Sequence, residues 1–468
     1  MRIALVNTNR IKPPIAPIGL EYVAETLGAT GQTVEVLDLC WEEDWKSAIG
    51  RFLESRSVDL IGVTLRNTDD CAFTSRQSFL GEFQEMINVL RRHSSARIVL
   101  GGVGFSVMPE QVLSLVDVDA GIWGDGEWTF AELANRLERK REIFDLPNLL
   151  WRKNGGWKRN PALLHSLVDL PPMSRNWVDN RRYFREGGQA GIETKRGCPS
   201  HCIYCADPLA KGKIVRLRPP KAVVNELESL LAQGIDHFHT CDSEFNLPPE
   251  HTMEICQEII HRHLGQKLRW YAYLSPTPFS GELARAMASA GCAGINFGVD
   301  HGDEEILLRL GRNFKPQDIM HAARLCKEAG IAVMFDILIG SPGESRESIR
   351  RMIELIRRAE PDRVGVAVGV RVYPGTVLDD QVQEGKRSKG LWGGEDPRDP
   401  LFFLEPQIGL VVFEFLDELI AGDPRFFFFD PKRPERNYNY NANQRLVEAI
   451  RQGYSGAYWD ILRRIQSA

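Results

Sequence analysis

The sequence has no long apolar run, no large excess of one charge and no leader-like N-terminus. No stretch approaches the ~18 apolar residues that a membrane span needs. The 58 Lys and Arg nearly balance the 63 Asp and Glu, and the net charge of −5 gives no electrostatic argument for nucleic acid or an anionic membrane as partner. Met1 to Thr8 lack the apolar core of a signal peptide and predict a strand.

Cysteine is scarce, and its distribution disfavours a disulfide framework. Nine cysteines are present in 468 residues, and an odd count with three of them clustered fits a reducing compartment. We therefore expect a cytoplasmic protein. A hydrophobic content of 43% with 26% charged residues is typical of folded domains of full size, and the length favours two or three of them.

Residues 1–138 alternate short apolar runs with amphipathic stretches. Fully apolar strands separated by helices predict a doubly wound parallel sheet, a Rossmann-like domain. The predicted strands are Ile3–Val6, Val34–Leu37, Leu60–Leu65, Arg97–Leu100 and Ala120–Trp123. The predicted helices are Leu20–Leu27, Trp45–Glu54, Ser75–Arg92, Glu110–Val116 and Thr129–Leu137.

Glycine collects where these strands end, the edge at which such sheets bind ligands. Gly101, Gly102 and Gly104 follow the fourth strand, and Gly124 and Gly126 follow the fifth. Glycine there lets backbone amides approach a large flat or phosphate-bearing ligand closely. Taken alone, the pattern fits a nucleotide site or ordinary loop geometry equally well.

A second alternating region, 189–377, follows a connector at 139–188 that is broken by Gly and Pro. Six strands with intervening helices predict a partial (β/α)6 barrel with its active groups at the carboxyl ends of the strands. The predicted strands are Ile192–Thr194, His237–Thr240, Trp270–Leu274, Gly294–Gly298, Val333–Ile339 and Val364–Val368. The segment 378–468 is aromatic, with Tyr438 and Tyr440 among its rings and a helix predicted near Asn443–Arg451, and it suggests a cap or lid.

Three cysteines, Cys198, Cys202 and Cys205, form a Cys-x3-Cys-x2-Cys run. Three thiolates this close can hold three corners of a [4Fe–4S] cluster, whose fourth iron then stays open for a non-protein ligand. A zinc site that recruits His201 is the alternative, although structural zinc sites usually have four protein ligands in paired spacings.

The cysteine run, with Tyr204 before its third Cys, resembles the cluster loop of radical S-adenosylmethionine (SAM) enzymes. Four further segments resemble motifs of that family in the family's order: 239–246, 298–302, 336–344 and 371–376. Pro17–Leu20, Gly101–Gly102 and Gly124–Glu127 ahead of them resemble the cobalamin domain of cobalamin-dependent radical SAM enzymes. The Asp-x-His-x-x-Gly signature is absent, so the resemblance implies a base-off cobalamin that takes no His from this domain.

The resemblance also implies site residues. The family's open iron chelates SAM, and its SAM-pocket motifs fall on Tyr204, Asp242, Ser243, Glu244, Gly340 and Glu344. Its cobalamin contacts fall on Pro17, Asn67, Thr68, Gly101, Gly102, Gly104, Gly124, Gly126 and Glu127. For Asp242, a helix N-cap is the plainer alternative.

Four residues are candidates for the reaction itself. Asp300 stands where similar enzymes carry Glu, and Asp336 replaces a usual Gly and could place a carboxylate in the site. Tyr373 belongs to the Tyr-Pro-Gly-Thr segment after the sixth strand. His301 is unusual there, and a lone His is more often a hydrogen-bonded loop residue than a catalyst.

The function that the resemblance implies is a methyltransferase. It would move a methyl group through methylcobalamin to a carbon or phosphorus centre activated by a 5′-deoxyadenosyl radical. A cobalamin-dependent rearrangement or cyclisation without methyl transfer is one alternative, and a non-catalytic cofactor-binding or redox protein is the other. We expect a small-molecule substrate, no nucleic acid, and an external flavodoxin- or ferredoxin-like electron donor.

Overall fold

The computed structural model describes residues 1–428 and 443–467. Tyr438 and Tyr440, two of the rings assigned above to a cap, lie outside the described residues. None of the described helices is both long and apolar enough to cross a lipid bilayer.

The N-terminal domain is the expected doubly wound sheet. Its strands are β1 Arg2–Asn7, β2 Thr33–Asp38, β3 Leu60–Thr64, β4 Arg97–Gly101, β5 Ala120–Ile122, β6 Leu149–Lys153 and β7 Gly156–Arg159. The order is β2-β1-β3-β4-β5-β6-β7, and the first five are parallel. The hairpin β6–β7 is antiparallel and extends this sheet beyond residue 138.

Helices cover both faces of this sheet, namely α1 Ile18–Ala29, α2 Trp45–Glu54, α3 Leu80–His93, α4 Val103–Val107, α5 Pro109–Leu115 and α6 Glu127–Glu138. Successive strand residues point to opposite faces, so Val6 lies in one apolar layer and Leu5 in the other. Both faces of the sheet are therefore buried under helices, as expected for parallel strands.

Helix α3 begins at Leu80, and the predicted start at Ser75 was wrong. Residues 66–79 form a loop instead, because Asp70 accepts hydrogen bonds from the backbone of Ala72 and Gln77 and from the Ser75 hydroxyl. Such local side-chain bonds compete with helix formation.

The second domain is an open parallel barrel. Its strands are β8 Ala190–Ile192, β11 His237–Thr240, β12 Arg269–Leu274, β13 Cys292–Asp300, β14 Ala332–Ile339, β15 Arg363–Val368 and β19 Phe426–Phe428, in the order β8-β11-β12-β13-β14-β15-β19. Six helices alternate with these strands along the chain, namely α9 Pro220–Ala232, α10 Pro249–His261, α11 Gly281–Ser289, α12 Glu304–Arg309, α13 Pro316–Ala329 and α14 Arg346–Ala359.

The seventh strand, β19, was not predicted. It is three phenylalanines long and belongs to the C-terminal segment, and Phe426 pairs in parallel register with Val364 of β15. Its three side chains are buried. A run this short carries no periodicity, so only the pairing partner identifies it as a strand.

Shorter elements complete the described chain. They are α7 Asn180–Gly187, β9 Lys195–Arg196, α8 Asp207–Lys211, β10 Arg216–Leu217, β16 Val370–Arg371, α15 Val377–Gln383, β17 Leu391–Trp392, β18 Phe402–Phe403, α16 Val412–Ile420, α17 Gln444–Arg451 and α18 Tyr458–Ser467, with 3-10 turns at Leu39–Trp41 and Leu167–Asp169.

Helix α18 forms a floor under the barrel rather than the expected lid. Trp459 Nε1 donates to Asn296 Oδ1 at 2.5 Å, and the Tyr271 hydroxyl donates to Asp460 at 2.9 Å. These strand partners lie in the first two-thirds of β12 and β13, away from the carboxyl ends. The end of the barrel where the active groups were expected is therefore left to other elements.

A buried ionic network docks the two domains on each other. Arg175 of the connector donates to Glu21 of α1 at 2.7 Å and to Glu226 of α9 at 2.9 Å, and all three side chains are buried. Tyr22 of α1 also binds Glu226, at 3.0 Å. Buried charges are tolerated only when paired in this way, so the network sets the relative position of the two sheets.

Candidate cofactor and active site

The cysteine loop leaves β9 and is clamped by backbone on both sides. The Cys198 amide donates to Gly212 O at 3.1 Å, and the Ile203 amide donates to Leu310 O at 3.0 Å. Gly197 has φ +94°, and a Cβ there would lie 2.1 Å from Ile214 O. Only glycine fits so close a backbone contact at positive φ. This contact therefore fixes the start of the cysteine loop.

All three cysteines of this loop are free thiols. Among the described residues, no group of three or more His, Cys, Asp or Glu converges on a single ion. An iron–sulfur cubane takes each thiolate on a different iron, so its ligands need not converge on one point. Cys198, Cys202 and Cys205 therefore fit a cluster better than a zinc site that recruits the exposed His201.

Arg312, which the sequence reasoning missed, lies beside this loop. Its guanidinium donates to Cys202 Sγ at 3.0 Å and to the backbone oxygen of Gly298, and pairs with Asp300 at 3.2 Å and Glu244 at 3.6 Å. The Arg312 side chain is buried, and 110 residues separate it from Cys202 in the sequence. Arg312 follows Gly311, which has φ +76°, but no short motif around it indicates this long-range contact.

Two predicted residues meet on the other side of Arg312. The Tyr204 hydroxyl donates to Asp300 Oδ2 at 2.6 Å. Tyr204, Asp300, Arg312 and Glu244 thus form one largely buried group beside the cysteine loop. Burial raises the pKa of Glu244 to about 7, against the lowering effect of the Arg312 charge.

Asp242 is placed differently from the expectation. Its carboxylate accepts from the backbone amides of Thr194 at 2.9 Å and Lys195 at 3.2 Å, and from the Thr194 hydroxyl at 2.6 Å. It ties the end of β11 to the chain that enters the cysteine loop. Within the 242–244 segment, Glu244 is therefore the acid that faces the cation beside the loop.

Ser243 meets an acid that the sequence reasoning missed. Its hydroxyl donates to Asp207 Oδ2 at 2.5 Å, and Lys211 donates to the same oxygen at 3.2 Å. The Lys211 charge and the Ser243 hydroxyl lower the pKa of Asp207 although burial acts the other way. Asp207 follows Cys205 by two residues, so this ionised group also borders the loop.

His301 and Glu344 form a buried pair that shapes two loops. His301 Nε2 lies 3.0 Å from Glu344 Oε1, and Nδ1 accepts from the Asp303 amide at 2.9 Å. Glu344 Oε2 accepts from the amides of Gly340 and Ser341. Both side chains are fully buried, so the geometry favours a structural role for His301 over the catalytic one considered above.

The glycines at the edge of the first sheet have two different settings. A Cβ on Gly102 (φ +97°) would lie 2.5 Å from Leu65 O, and one on Gly104 would lie 3.0 Å from Arg66 O. These two glycines pack the loop after β4 onto the loop after β3. A Cβ on Gly101 would lie 3.8 Å from Ile122 O and one on Gly126 would lie 3.6 Å from Val23 Cγ2, which are ordinary van der Waals contacts.

The other predicted cobalamin contacts lie along the same edge. Pro17 is buried just before α1, and Thr68 is buried with its hydroxyl donating to Asp69. Asn67 is partly accessible, and its Oδ1 accepts from Arg66 at 2.7 Å. Gly124 donates its amide to Ser106 Oγ at 2.9 Å.

The ligand edges of the two sheets face each other and are tied by ion pairs. Arg196, two residues before Cys198, binds both carboxylate oxygens of Glu127 at 2.5 and 3.0 Å and Asp125 at 3.2 Å. Asp69 of the loop after β3 pairs with Arg371 at 2.9 Å. The Glu127 carboxylate is thus committed to the cysteine-loop side, and its contact with cobalamin stays a prediction.

Tyr373 also lies at this junction. Its hydroxyl is 3.1 Å from Cys71 Sγ, in the loop after β3 of the first domain. Burial raises the pKa of Tyr373, whose hydroxyl is therefore neutral at pH 7, whereas Cys71 is exposed to solvent. The contact is a hydrogen bond at the seam between the domains.

Polar and aromatic side chains line the inside of the barrel above the floor helix. Asn296 Nδ2 donates to Asp336 Oδ2 at 3.3 Å, so the predicted Asp336 does face the interior. Tyr273 is 44% exposed although it lies within a central strand, and the His239 ring is 4.7 Å from it. An inward tyrosine this exposed marks open space inside the barrel.

Known proteins show the same two domains. The family described as B12 binding domain matches residues 4–134, and the Radical SAM superfamily matches residues 192–356. Tryptophan 2-C-methyltransferase of Streptomyces laurentii is 33% identical over 80% of this chain and 73% of its own length.

Two solved structures are similar over the whole chain. The radical SAM methyltransferase TsrM of Kitasatospora setae, with tryptophan substrate and a SAM analogue bound, superposes with a TM-score of 0.92 at 31% identity, covering 100% of this chain and 98% of that one. The same enzyme with cobalamin and a [4Fe–4S] cluster bound gives a TM-score of 0.89 at 30% identity with the same coverage.

The cysteine loop, the glycine-edged first sheet and these similarities together define the class. The chain belongs to the cobalamin-dependent radical SAM methyltransferases, whose cofactors are a [4Fe–4S] cluster, SAM and cobalamin. The expected fold, enzyme class and cofactors are thereby confirmed.

Proposed function

We propose that this enzyme methylates a ring carbon of tryptophan or a close indole relative. The observation that carries the proposal is the match over the full chain to a structure that holds tryptophan and a SAM analogue. The name of the Streptomyces laurentii relative supports the same substrate. An open, partly aromatic barrel interior of suitable polarity, with Tyr273 and His239 on its wall, is consistent with a flat substrate.

The cluster is assigned to Cys198, Cys202 and Cys205. Bound cobalamin supplies the methyl-transfer chemistry at cobalt, and the protein contributes position and exclusion of water. Burial raises the pKa of the Cys202 and Cys205 thiols, while the Arg312 charge lowers that of Cys202. Metal binding would deprotonate them, and Arg312 would then donate to a thiolate.

The amino-acid end of SAM carries one ammonium and one carboxylate, and the group around the cysteine loop offers partners for both. Arg312 is the cation next to Cys202, and guanidinium matches carboxylate geometry. Glu244 is the acid beside it and suits the ammonium. Gly340 and Glu344 shape the loop after β14 rather than offering a free charge, because Glu344 is bound by His301 and by two backbone amides.

Cobalamin is assigned to the edge formed by the loops after β3, β4 and β5. Gly101 and Gly126 carry no side chain at this edge, so a corrin could come close to their backbone. Asn67 and Gly124 lie along the same edge. Helix α4 follows Gly102 and packs against α8, which follows Cys205, so the two cofactors would sit in one chamber.

Two further features belong to the proposal. A flavodoxin- or ferredoxin-like protein would supply single electrons to the metal centres. The location would be the cytoplasm, because all nine cysteines are free thiols and reducing conditions keep thiols in that state.

The test is an anaerobic reaction of cluster-reconstituted, cobalamin-loaded protein with tryptophan and SAM labelled on its methyl group. The expected product is tryptophan heavier by one labelled methyl in place of hydrogen, detected by mass spectrometry. The Cys202→Ala variant is the control and should give none. Consumption of SAM without labelled tryptophan would contradict the substrate, and a product of unchanged mass would indicate a rearrangement.

A further inference from the structure

His239 lies on the inner face of the barrel, at the carboxyl end of β11. Its strand neighbours Phe238 and Thr240 are buried on the other face. Its partner in register is Tyr271 of β12, whose hydroxyl binds the floor helix through Asp460. Because register partners in parallel strands point to the same side, the imidazole of His239 faces the interior above the floor.

The tautomer of this imidazole follows from its one hydrogen bond among the described residues. His239 Nδ1 is 2.8 Å from the carbonyl oxygen of Thr240. A carbonyl only accepts, so Nδ1 carries the hydrogen. Burial lowers the pKa of His239, so the ring is neutral at pH 7. Nε2 is then an unprotonated acceptor.

A flat surface stands next to this acceptor. The Tyr273 ring is 4.7 Å from the His239 ring with the planes at 44°. Tyr273 is on the same strand as Tyr271, two residues further towards the cofactor edge, and therefore on the same inner face. An aromatic surface beside a hydrogen-bond acceptor suits a planar ring that carries an N–H at its edge.

We propose that His239 Nε2 accepts a hydrogen bond from the ring N–H of the substrate while the ring packs against Tyr273, and that this contact selects N–H heterocycles. The inference rests on the indole substrate proposed above and goes beyond it by naming a specificity residue. A site built to receive an N–H leaves its acceptor unpaired when an analogue without the N–H binds, and this mismatch is what discriminates.

The test compares tryptophan with its benzothiophene analogue, in which sulfur replaces the ring N–H at nearly the same shape. Equilibrium dialysis on the cofactor-loaded protein measures the Kd of each, and methyl-transfer assays measure KM and kcat. We expect the wild type to prefer tryptophan by roughly 5- to 150-fold, the fold-change equivalent to an unpaired buried acceptor.

Three variants locate the effect. His239→Phe keeps a planar ring but has no acceptor, so the preference should fall to about one. His239→Gln offers a side-chain carbonyl near the position of Nε2 and should restore part of the preference for tryptophan. His237→Phe is the matched control, because this His lies on the same strand and pairs with Asp236, and it should keep the wild-type preference. Thermal unfolding of each variant verifies folding.

The outcomes separate this inference from the proposed function. Methylation of tryptophan with an unchanged preference in His239→Phe would overturn the role of His239 and leave the function standing. A His239-dependent preference in binding without any methylation would overturn the function and support the role of His239. A wild type with no preference in binding would overturn the role of His239 whatever the product.

Discussion

Arg196 binds both carboxylate oxygens of Glu127, at 2.5 and 3.0 Å, across the boundary between the two domains. Both side chains are buried. Arg196 lies two residues before Cys198, and Glu127 begins α6 directly after the glycine loop of β5. One guanidinium therefore fixes the candidate cobalamin edge against the candidate cluster loop, and its partners Asp125 and Glu193 complete the pairing.

Replacing Arg196 with Gln should destabilise the protein strongly. It leaves Glu127 buried without a cation, and breaking a buried pair in this way costs about 3–5 kcal/mol. The stability of Arg196→Lys should lie between those of the wild type and Arg196→Gln, because one ammonium cannot bind both oxygens of Glu127. Urea unfolding of the cofactor-free protein measures the loss, and the cobalamin retained after gel filtration should fall in the same order.

The control for this comparison is Arg398→Gln, which removes an exposed arginine paired with Asp396. Exposed pairs contribute little, so its unfolding midpoint and cobalamin content should match the wild type. Equal midpoints for Arg196→Gln and Arg398→Gln would show that the interdomain pair does not hold the two edges together.

Replacing Gly311 with Ala should reduce cluster incorporation. A Cβ at this position would lie 2.2 Å from His201 O, inside the cysteine loop. The loop must move to make room, which displaces the thiols on either side of His201. Iron and sulfide content after anaerobic reconstitution should fall, as should the visible absorbance of the cluster.

Gly330→Ala is the matched control for Gly311→Ala. Gly330 also has positive φ, +72°, but a Cβ there meets no atom within 4 Å. Both variants bear the backbone penalty of roughly 1–2 kcal/mol for a left-handed conformation, and only one pushes on the loop. Equal iron content in the two variants would mean that the cluster loop is not held by this contact.

Replacing Glu244 with Gln should stabilise the cofactor-free protein more at pH 8 than at pH 5. Burial raises the pKa of Glu244 from 4.5 to about 7. The wild type therefore has its full stability below pH 4.5 and loses stability as the pH rises through 7, whereas Glu244→Gln has no carboxyl to ionise. At about 1.4 kcal/mol per unit, the gain on going from pH 5 to pH 8 should reach at most roughly 3 kcal/mol. Urea unfolding at both pH values measures it.

Glu282→Gln serves as the reference for this pH comparison. Glu282 is exposed on α11, so its replacement should leave stability close to that of the wild type at both pH values. An advantage of Glu244→Gln that stays constant, or shrinks, between pH 5 and pH 8 would show that the Glu244 carboxyl is already ionised at pH 5.

Local patterns predicted most of the fold correctly. Apolar runs such as Leu60–Leu65 and amphipathic stretches such as Trp45–Glu54 have clear periods, and their strand or helix type was right. The start of α3 and the strand β19 were missed. In the first case side-chain bonds of Asp70 compete with the helix, and in the second three phenylalanines become a strand only because Val364 lies beside them.

The site divides in the same way. Tyr204 and Asp300, both taken from motifs, do meet, at 2.6 Å. Arg312 and Asp207 carry charge beside the cysteine loop and were missed, because neither lies in a segment that resembles a motif of the family. Asp242 and Glu344 were predicted to line the SAM pocket, and in the structure their carboxylates accept hydrogen bonds from backbone amides.

By itself, the sequence determined the two parallel α/β domains, the three-cysteine loop and the class of chemistry, because these depend on spacing and periodicity along the chain. Only the tertiary structure decided that Glu244 faces Arg312, that His301 is held in a buried pair with Glu344, and that His239 faces the barrel interior. Those outcomes depend on hydrogen bonds between residues far apart in the chain. No local pattern encodes which partner a buried polar group will reach.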